Sequence, residues 1–246
     1  MINFANKNIL ITGAASGIGR ETAITLSKLD AQLVLLDLSQ EGLDETITLL
    51  NGSRHTSIQC DLSQIDNLSK IIHDNVEKVG RFSGFVHCAG ISSRKPMNVL
   101  KRDGFNKVMN VNFYSFIELT KQITKKKNFE DGGSVVVMSS ISSIKGYKAK
   151  TEYCVSKASI DAFVRCAALE LADRKIRINS VMPAEVLTPL ALKARAINES
   201  LGVEEFHSPL GATEPYEVAN LITFLLSDAT KTITGTSVLI DGGATI

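Results

Sequence analysis

No stretch of this 246-residue chain approaches the roughly 18 consecutive apolar residues that a membrane-spanning helix needs. The first apolar run, residues 8–12, is too short for the core of a signal peptide and leads straight into a glycine loop, so a cytoplasmic protein is expected. An excess of one charge is also missing. With 27 Lys and Arg against 26 Asp and Glu, a net charge of +1 sets up no field that would draw the chain to nucleic acid or to an anionic membrane. Cysteine is scarce. Cys60, Cys88, Cys154 and Cys166 show no Cys-x-x-Cys spacing and no histidine at a ligand offset, which predicts reduced, mostly buried thiols and neither a disulfide nor a metal. No linker rich in Pro, Gly or Ser divides the chain. With 44% apolar residues, positions 1–246 read as one domain with a substantial core, and disorder is excluded.

Short, uninterrupted β-branched apolar runs alternate with longer amphipathic stretches, the mark of parallel strands covered on both faces. Strands are expected at 8–11, 32–36, 56–59, 84–87, 134–138, 177–181 and 237–240, and helices at 17–29, 40–50, 65–79, 102–125, 151–172 and 215–226. The βαβ units in series predict an α/β fold with a doubly wound, seven-stranded parallel sheet, that is, a Rossmann fold. The one long stretch without a strand, 184–213, follows the sixth strand and is placed to act as a lid over a crevice beyond the strands' carboxyl ends.

Thr12-Gly13-Ala14-Ala15-Ser16-Gly17-Ile18-Gly19 follows the first strand and opens the first helix. Such a turn lets free N–H groups and the positive end of a helix dipole meet a pyrophosphate. The alternative is a tight turn that merely needs positive φ. Asp37 ends the second strand, eighteen residues after Gly19, where its carboxylate can accept from both ribose hydroxyls and would repel a 2′-phosphate. Ser16, Leu38 and Ser39 offer such a phosphate no cation, so NAD is expected ahead of NADP. Asp61, after the third strand, is placed to meet the adenine edge or to cap a helix.

Tyr153 and Lys157, four apart in a helical pattern, share a face. An ammonium beside a phenol favours the phenolate and so suits the tyrosine to alcohol–ketone proton transfer, although such pairs also arise by chance. Ser140, at the end of the fifth strand, adds a hydroxyl facing the same crevice.

These residues, with Ala89-Gly90, Asn112, Pro183, Thr188 and the tail Ile233-Thr234-Gly235 to Ile240-Asp241-Gly242-Gly243, resemble the short-chain dehydrogenase/reductase family in its compact, single-domain form, over the whole chain. The resemblance implies Tyr153 as acid/base and Lys157 as the group that holds the nicotinamide ribose and lowers the tyrosine pKa. It implies Ser140 as the group orienting the reacting oxygen and Asn112 as keeper of a water in a proton relay. Asn112 also reads as an amide bracing a bend in its long helix. The cofactor would be held by Gly13, Ser16, Gly17, Ile18, Gly19, Asp37, Asp61 and Leu62, then Cys88, Ala89, Gly90, Pro183, Val186 and Thr188, together with Tyr153 and Lys157.

Two positions depart from the family. Cys88 stands where an asparagine is usual, which bears on local stability, and Ala184 replaces the glycine that usually follows Pro183, leaving Glu185 near the nicotinamide. The expected reaction is NAD(H)-dependent hydride transfer to or from a small-molecule secondary alcohol or ketone. The alternatives are a 3-oxoacyl-(acyl-carrier-protein) reductase, a branch that generally employs NADPH, and a non-catalytic nucleotide-binding relative. Arg94, Lys95, Lys145, Lys148 and Lys150 should border the crevice mouth and attract an anionic substrate, unless they are simply solvated loop residues. Phe113, Phe116, Ile117, Phe163, Val164 and Ala167 suggest a homodimer or homotetramer, or a broad core-facing stripe in a monomer.

Overall fold

In the computed structural model, residues 2–192, 195 and 208–246 are described. Seven strands, β1 (Asn8–Thr12), β2 (Gln32–Asp37), β3 (Thr56–Gln59), β4 (Phe82–His87), β5 (Phe129–Met138), β6 (Arg177–Pro183) and β7 (Ser237–Ile240), form one sheet in the order β3-β2-β1-β4-β5-β6-β7. Every pairing is parallel. The central strands β1, β2 and β4 and the Ser134–Met138 half of β5 are largely apolar because both their faces are covered. Leu10, Val34, Leu36, Phe85, Val135, Val137 and Ile178 face one core, which α3 (Leu68–Val79), α5 (Ser115–Ile123) and α6 (Thr151–Leu171) complete with Ile72, Phe116, Leu119, Ile160 and Val164. Ile9, Ile11, Leu33, Leu35, Val86, Val136 and Val181 face the other, closed by α1 (Gly17–Ser27), α2 (Gln40–Thr48) and α7 (Pro215–Leu226) through Leu26, Leu43, Val218 and Ile222. Burying each such side chain contributes about 1.5–3 kcal/mol.

Strand order reverses between β1 and β4, so the chain leaves their carboxyl ends in opposite directions and a crevice opens there. Two elements differ from the sequence expectation by more than a few residues at an end. β5 starts at Phe129 instead of 134: Phe129 pairs with Phe82, the register slips, and pairing resumes at Ser134 with Gly84. Arg174 holds the displaced residues, donating to Asp131 Oδ1 at 2.7 Å and to the Phe129 carbonyl at 2.8 Å. The single helix expected over 102–125 is instead α4 (Arg102–Met109), a π-helical segment Asn110–Tyr114, and α5. Val108, Asn112, Phe116 and Thr120 are all buried at four-residue spacing. That exceeds the 3.6-residue turn of an α-helix, and the wider π segment takes up the excess.

The expected lid falls partly on residues 193–194 and 196–207, which lie outside the described residues. Its described ends are tied together: Thr213 N donates to the Glu185 carbonyl at 2.9 Å and Leu187 N to the Thr213 carbonyl at 3.0 Å. All four cysteines are free thiols, but only Cys60 is buried; α6 gives its sheet side to Ile160, Val164 and Ala167, leaving Cys154 partly open and Cys166 exposed. Of the six apolar residues read as possible contact surface, Phe116, Val164 and Ala167 are in the core, and Phe113, Ile117 and Phe163 stay partly open. Among the described residues no helix is long and apolar enough to cross a membrane.

Candidate active site

The crevice has two connected parts. The larger, about 940 Å³, runs from the glycine turn to Asp37, Asp61 and Leu62; the smaller, about 170 Å³, is lined by Ser140, Tyr153, Lys157, Pro183 and Val186. Ile18, Cys88, Gly90 and Thr188 line both.

At the first part the backbone does the building. Gly13 has φ +69°, and a Cβ there would stand 2.7 Å from Ala89 N. A Cβ on Gly19 would meet the Gly13 carbonyl oxygen at 2.1 Å. The turn can therefore lie flat against β4 and α1 only with glycine at both positions. Ser16 is the N-cap of α1 yet makes no side-chain cap bond, which leaves the helix's first N–H groups for a ligand. This geometry fits a dinucleotide pyrophosphate. Asp37 is fixed by Ala15 N to Oδ2 and Ser39 N to Oδ1, both 3.0 Å. A carboxylate has about four acceptor positions, so two remain for ribose hydroxyls. Asp61 lines the crevice and also accepts from Ser63 N at 2.9 Å; hydrogen bonding from Ser63 holds its carboxyl below the usual range.

The second part is built from side chains. Ser140 caps a short 3₁₀ turn, accepting from Ser142 N at 3.1 Å. Lys157, 4% exposed, donates to the Met138 carbonyl at 2.7 Å, with its Nζ 5.6 Å from the centre of the Tyr153 ring. Burial pushes the Lys157 ammonium down to about 8, opposed by Asp161. Burial pushes the Tyr153 phenol up to about 12, with a hydrogen bond to Ser140 working the other way. In this structure the ammonium faces the Met138 carbonyl, and desolvation of the phenol dominates. Asn112 does not line the cavity. It is fully buried behind Gly90, donates to the Ile91 carbonyl at 2.9 Å and to Ser156 Oγ at 3.0 Å, and accepts from Ile91 N at 2.8 Å, so it braces the π segment against the β4–α4 loop.

Cys88 takes its place without an amide. The residue is partly open to the crevice, but burial of its thiol, beside Thr22, pushes it up to about 12. Ala184 has no positive φ and so accommodates its Cβ. Thr188 packs on Gly17 and accepts from Ala191 N at 3.2 Å.

The five-cation cluster is not assembled as expected. Only Lys150 lines the cavity: Lys95 turns to Glu152 at 3.9 Å and Lys145 to the Ala244 carbonyl at 3.4 Å. Arg195, which no sequence signal marked, lines it too, opposite in charge to Glu185. The sequence reading also missed Arg20, whose guanidinium is engaged by the Ala15 and Gly42 carbonyls and by Glu45 at 2.7 Å. His87 was missed as well. It shares a 2.9 Å hydrogen bond with Thr12 Oγ1, and burial pushes it down to about 3, so it is neutral at physiological pH.

A sheet of this order, a glycine turn at its switch point and a Tyr–Lys pair on the helix across the crevice define a Rossmann-type oxidoreductase. The family model described as enoyl-(acyl carrier protein) reductase matches residues 13–245. The chain is 32% identical to a 3-oxoacyl-(acyl-carrier-protein) reductase of Thermotoga maritima over 98% of both chains. It is 30% identical to an NAD-dependent glycerol dehydrogenase of Listeria innocua over 99% of this chain and 96% of that one. A glucose/ribitol dehydrogenase structure from Brucella melitensis, described as a short-chain dehydrogenase/reductase, superposes with a TM-score of 0.91 at 28% identity, covering 100% of this chain and 99% of that one. The chain belongs to the short-chain dehydrogenase/reductase family.

Proposed function

We propose that this protein is an NAD(H)-dependent oxidoreductase acting on a small secondary alcohol or ketone, with Tyr153 as its acid/base. One observation carries the reading: Tyr153, Ser140 and Lys157 meet at the inner end of a crevice whose outer end is a glycine cradle closed by a carboxylate. The bound nicotinamide would accept or donate hydride at C4. Gly13, Ser16, Gly17, Ile18 and Gly19 would hold the pyrophosphate, Asp37 the ribose, and Asp61 and Leu62 the adenine side. Cys88, Ala89, Gly90, Pro183, Val186 and Thr188 would wall the nicotinamide.

In the reductive direction the protonated phenol of Tyr153 gives its proton to the substrate oxygen, which Ser140 holds. The oxidative direction reverses this, and the tyrosine takes the alcohol proton. Lys157 holds positive charge beside the phenol, and Asn112 keeps the loop at Ile91 in place behind it. The Asp37 carboxylate and the commitment of Arg20 to Glu45 favour NAD over NADP, because neither leaves a cation for a 2′-phosphate. Lys150 and Arg195 support an anionic substrate group, with Glu185 opposing.

The Thermotoga relative favours a second reading, 3-oxoacyl-(acyl-carrier-protein) reduction. Assembly into homodimers or homotetramers in the cytoplasm belongs to the same proposal, and residues 184–192 would border the substrate. Incubating the protein with NAD or NADP and a panel of secondary alcohols, polyols, sugars and 3-oxoacyl thioesters, followed near ~340 nm, tests it. Turnover with NAD and a small alcohol is expected. Turnover confined to NADPH and 3-oxoacyl thioesters would select the second reading, and none with any substrate would refute both.

A further inference from the structure

Glu152 immediately precedes Tyr153 in the first turn of α6, and its side chain is completely buried. A buried carboxylate is costly unless paired, and here it faces the loop between β4 and α4. Ser93 Oγ donates to its Oε2, and the Lys95 ammonium stands 3.9 Å from its Oε1, which has no hydrogen-bond partner of its own. The third wall is Gly104 of α4: a Cβ there would stand 2.6 Å from Lys95 Nζ and 3.0 Å from Glu152 Oε1. A glycine inside a helix weakens it by about 1 kcal/mol relative to alanine, and the space it leaves is the space the ion pair occupies. Lys95 N also donates to the Ala149 carbonyl at 2.7 Å, and Ala149 holds the left-handed region at φ +63°, a conformation that a residue with a Cβ seldom keeps without surrounding constraint.

The loop is thus stapled twice. Asn112 grips Ile91 through both its N–H and its carbonyl, and Glu152 grips Ser93 and Lys95. Between the staples lies Ser92, which lines the same cavity as Tyr153. Glu152 and Tyr153 are consecutive, so the carboxylate links the wall at Ser92 to the residue that carries the proton.

We infer that Glu152 is a positioning residue: with Ser93 and Lys95 it latches the β4–α4 loop to α6 and fixes the substrate wall at Ser92 relative to Tyr153. The kinetic part of this inference rests on the proposed oxidoreductase reading. The latch itself does not.

The test compares wild type with Glu152→Ala, Glu152→Gln and the double variant Ser93→Ala/Lys95→Met. It uses steady-state kinetics on whichever alcohol or ketone the substrate panel yields, and amide hydrogen exchange. In Glu152→Ala and the double variant, KM for that substrate should rise about tenfold, with KM for NAD and kcat each within roughly threefold of wild type. Exchange across residues 91–95 should speed at least about tenfold while α6 beyond Tyr153 keeps its protection. Glu152→Gln, which still accepts from Ser93, should fall between. If Glu152→Ala does not fold, the double variant, which leaves α6 intact, decides. Either readout at its wild-type value in the double variant overturns the inference, as does acceleration spread evenly through α6. If wild type turns over no substrate, the oxidoreductase reading fails and exchange alone decides the latch.

Discussion

At the nucleotide end of the crevice Gly13 and Gly19 contribute by lacking side chains, while at the substrate end Tyr153 and Lys157 contribute through side chains buried deeply enough to move both from their ordinary protonation ranges. The glycine turn at the first end is continuous in sequence and set by steric exclusion, with Asp37 from β2, Asp61 and Leu62 after β3, and Ala89 after β4 completing its walls. The second draws Ser140 from the end of β5 and Tyr153 and Lys157 from α6, with Asn112 of the π segment bracing the adjoining loop; Ser140 accepts from Ser142 N, and Lys157 and Asn112 donate to the carbonyls of Met138 and Ile91. A backbone site is broken by adding an atom. A side-chain site is broken by removing one.

The largest expected effect is at the substrate end. Tyr153→Phe keeps the ring and deletes the transferable proton, so turnover should fall by about 10³ while nucleotide affinity, measured by fluorescence titration, stays within twofold of wild type. Retention of more than about a tenth of the rate would remove the tyrosine from its proposed role. Gly13→Ala should do the reverse. Its Cβ would collide with Ala89 N in a left-handed backbone, at a cost of about 2–3 kcal/mol. That corresponds to a drop of roughly 4–12 °C in Tm, and nucleotide affinity should be lost with it. If Gly13→Ala binds NAD normally, the backbone account of that end is wrong.

Cofactor choice sharpens the comparison further. Wild type should prefer NAD at least tenfold by kcat/KM, about 1.4 kcal/mol, and Asp37→Ala with Leu38→Arg should shrink or invert that preference. Equal use of both cofactors by wild type would refute it.

The smallest effect concerns stability. The Lys157 ammonium is depressed from 10.5 to about 8 in the fold, so between those values the unfolded chain binds the extra proton and stability rises with pH; below pH 8 that contribution is gone. Lys157→Met should therefore raise Tm by a few degrees at pH 7, on the order of 1 kcal/mol after losing the bond to Met138, even as activity falls. The gain should shrink as pH approaches 10.5. A lower Tm at pH 7 would show that the hydrogen bond to Met138 outweighs desolvation.

How much could be read in advance follows the same division. The seven strands and the glycine turn are local patterns, and the structure has them within a few residues, since continuous apolar runs and glycine spacing are short-range signals. β5 was read short because Glu130–Gly133 carries no apolar pattern; partners far away in sequence, Arg174 and Lys7, help hold it in place. Tyr153, Lys157 and Ser140 were visible as residues, but the burial that acts on the phenol was not, because burial depends on elements far apart in sequence. Lys95 looked like one of five loop cations until Glu152, fifty-seven residues on, turned out to be its partner. Arg20 and His87 carry no motif, and their partners come from other elements.

The π segment Asn110–Tyr114 makes chain length itself informative. Excising one residue from it would let α4 and α5 join as an ordinary helix, and because the wider π turn already absorbs one surplus residue, the core faces of α4 and α5 would keep nearly the same relation. What would be lost is the widened turn that presents the Asn112 amide to Ile91 and Ser156, and with it the inner anchor of the β4–α4 loop. A survey of point substitutions would score the exposed Tyr114 as tolerant, while a survey of single-residue deletions would find all five positions equally unforgiving.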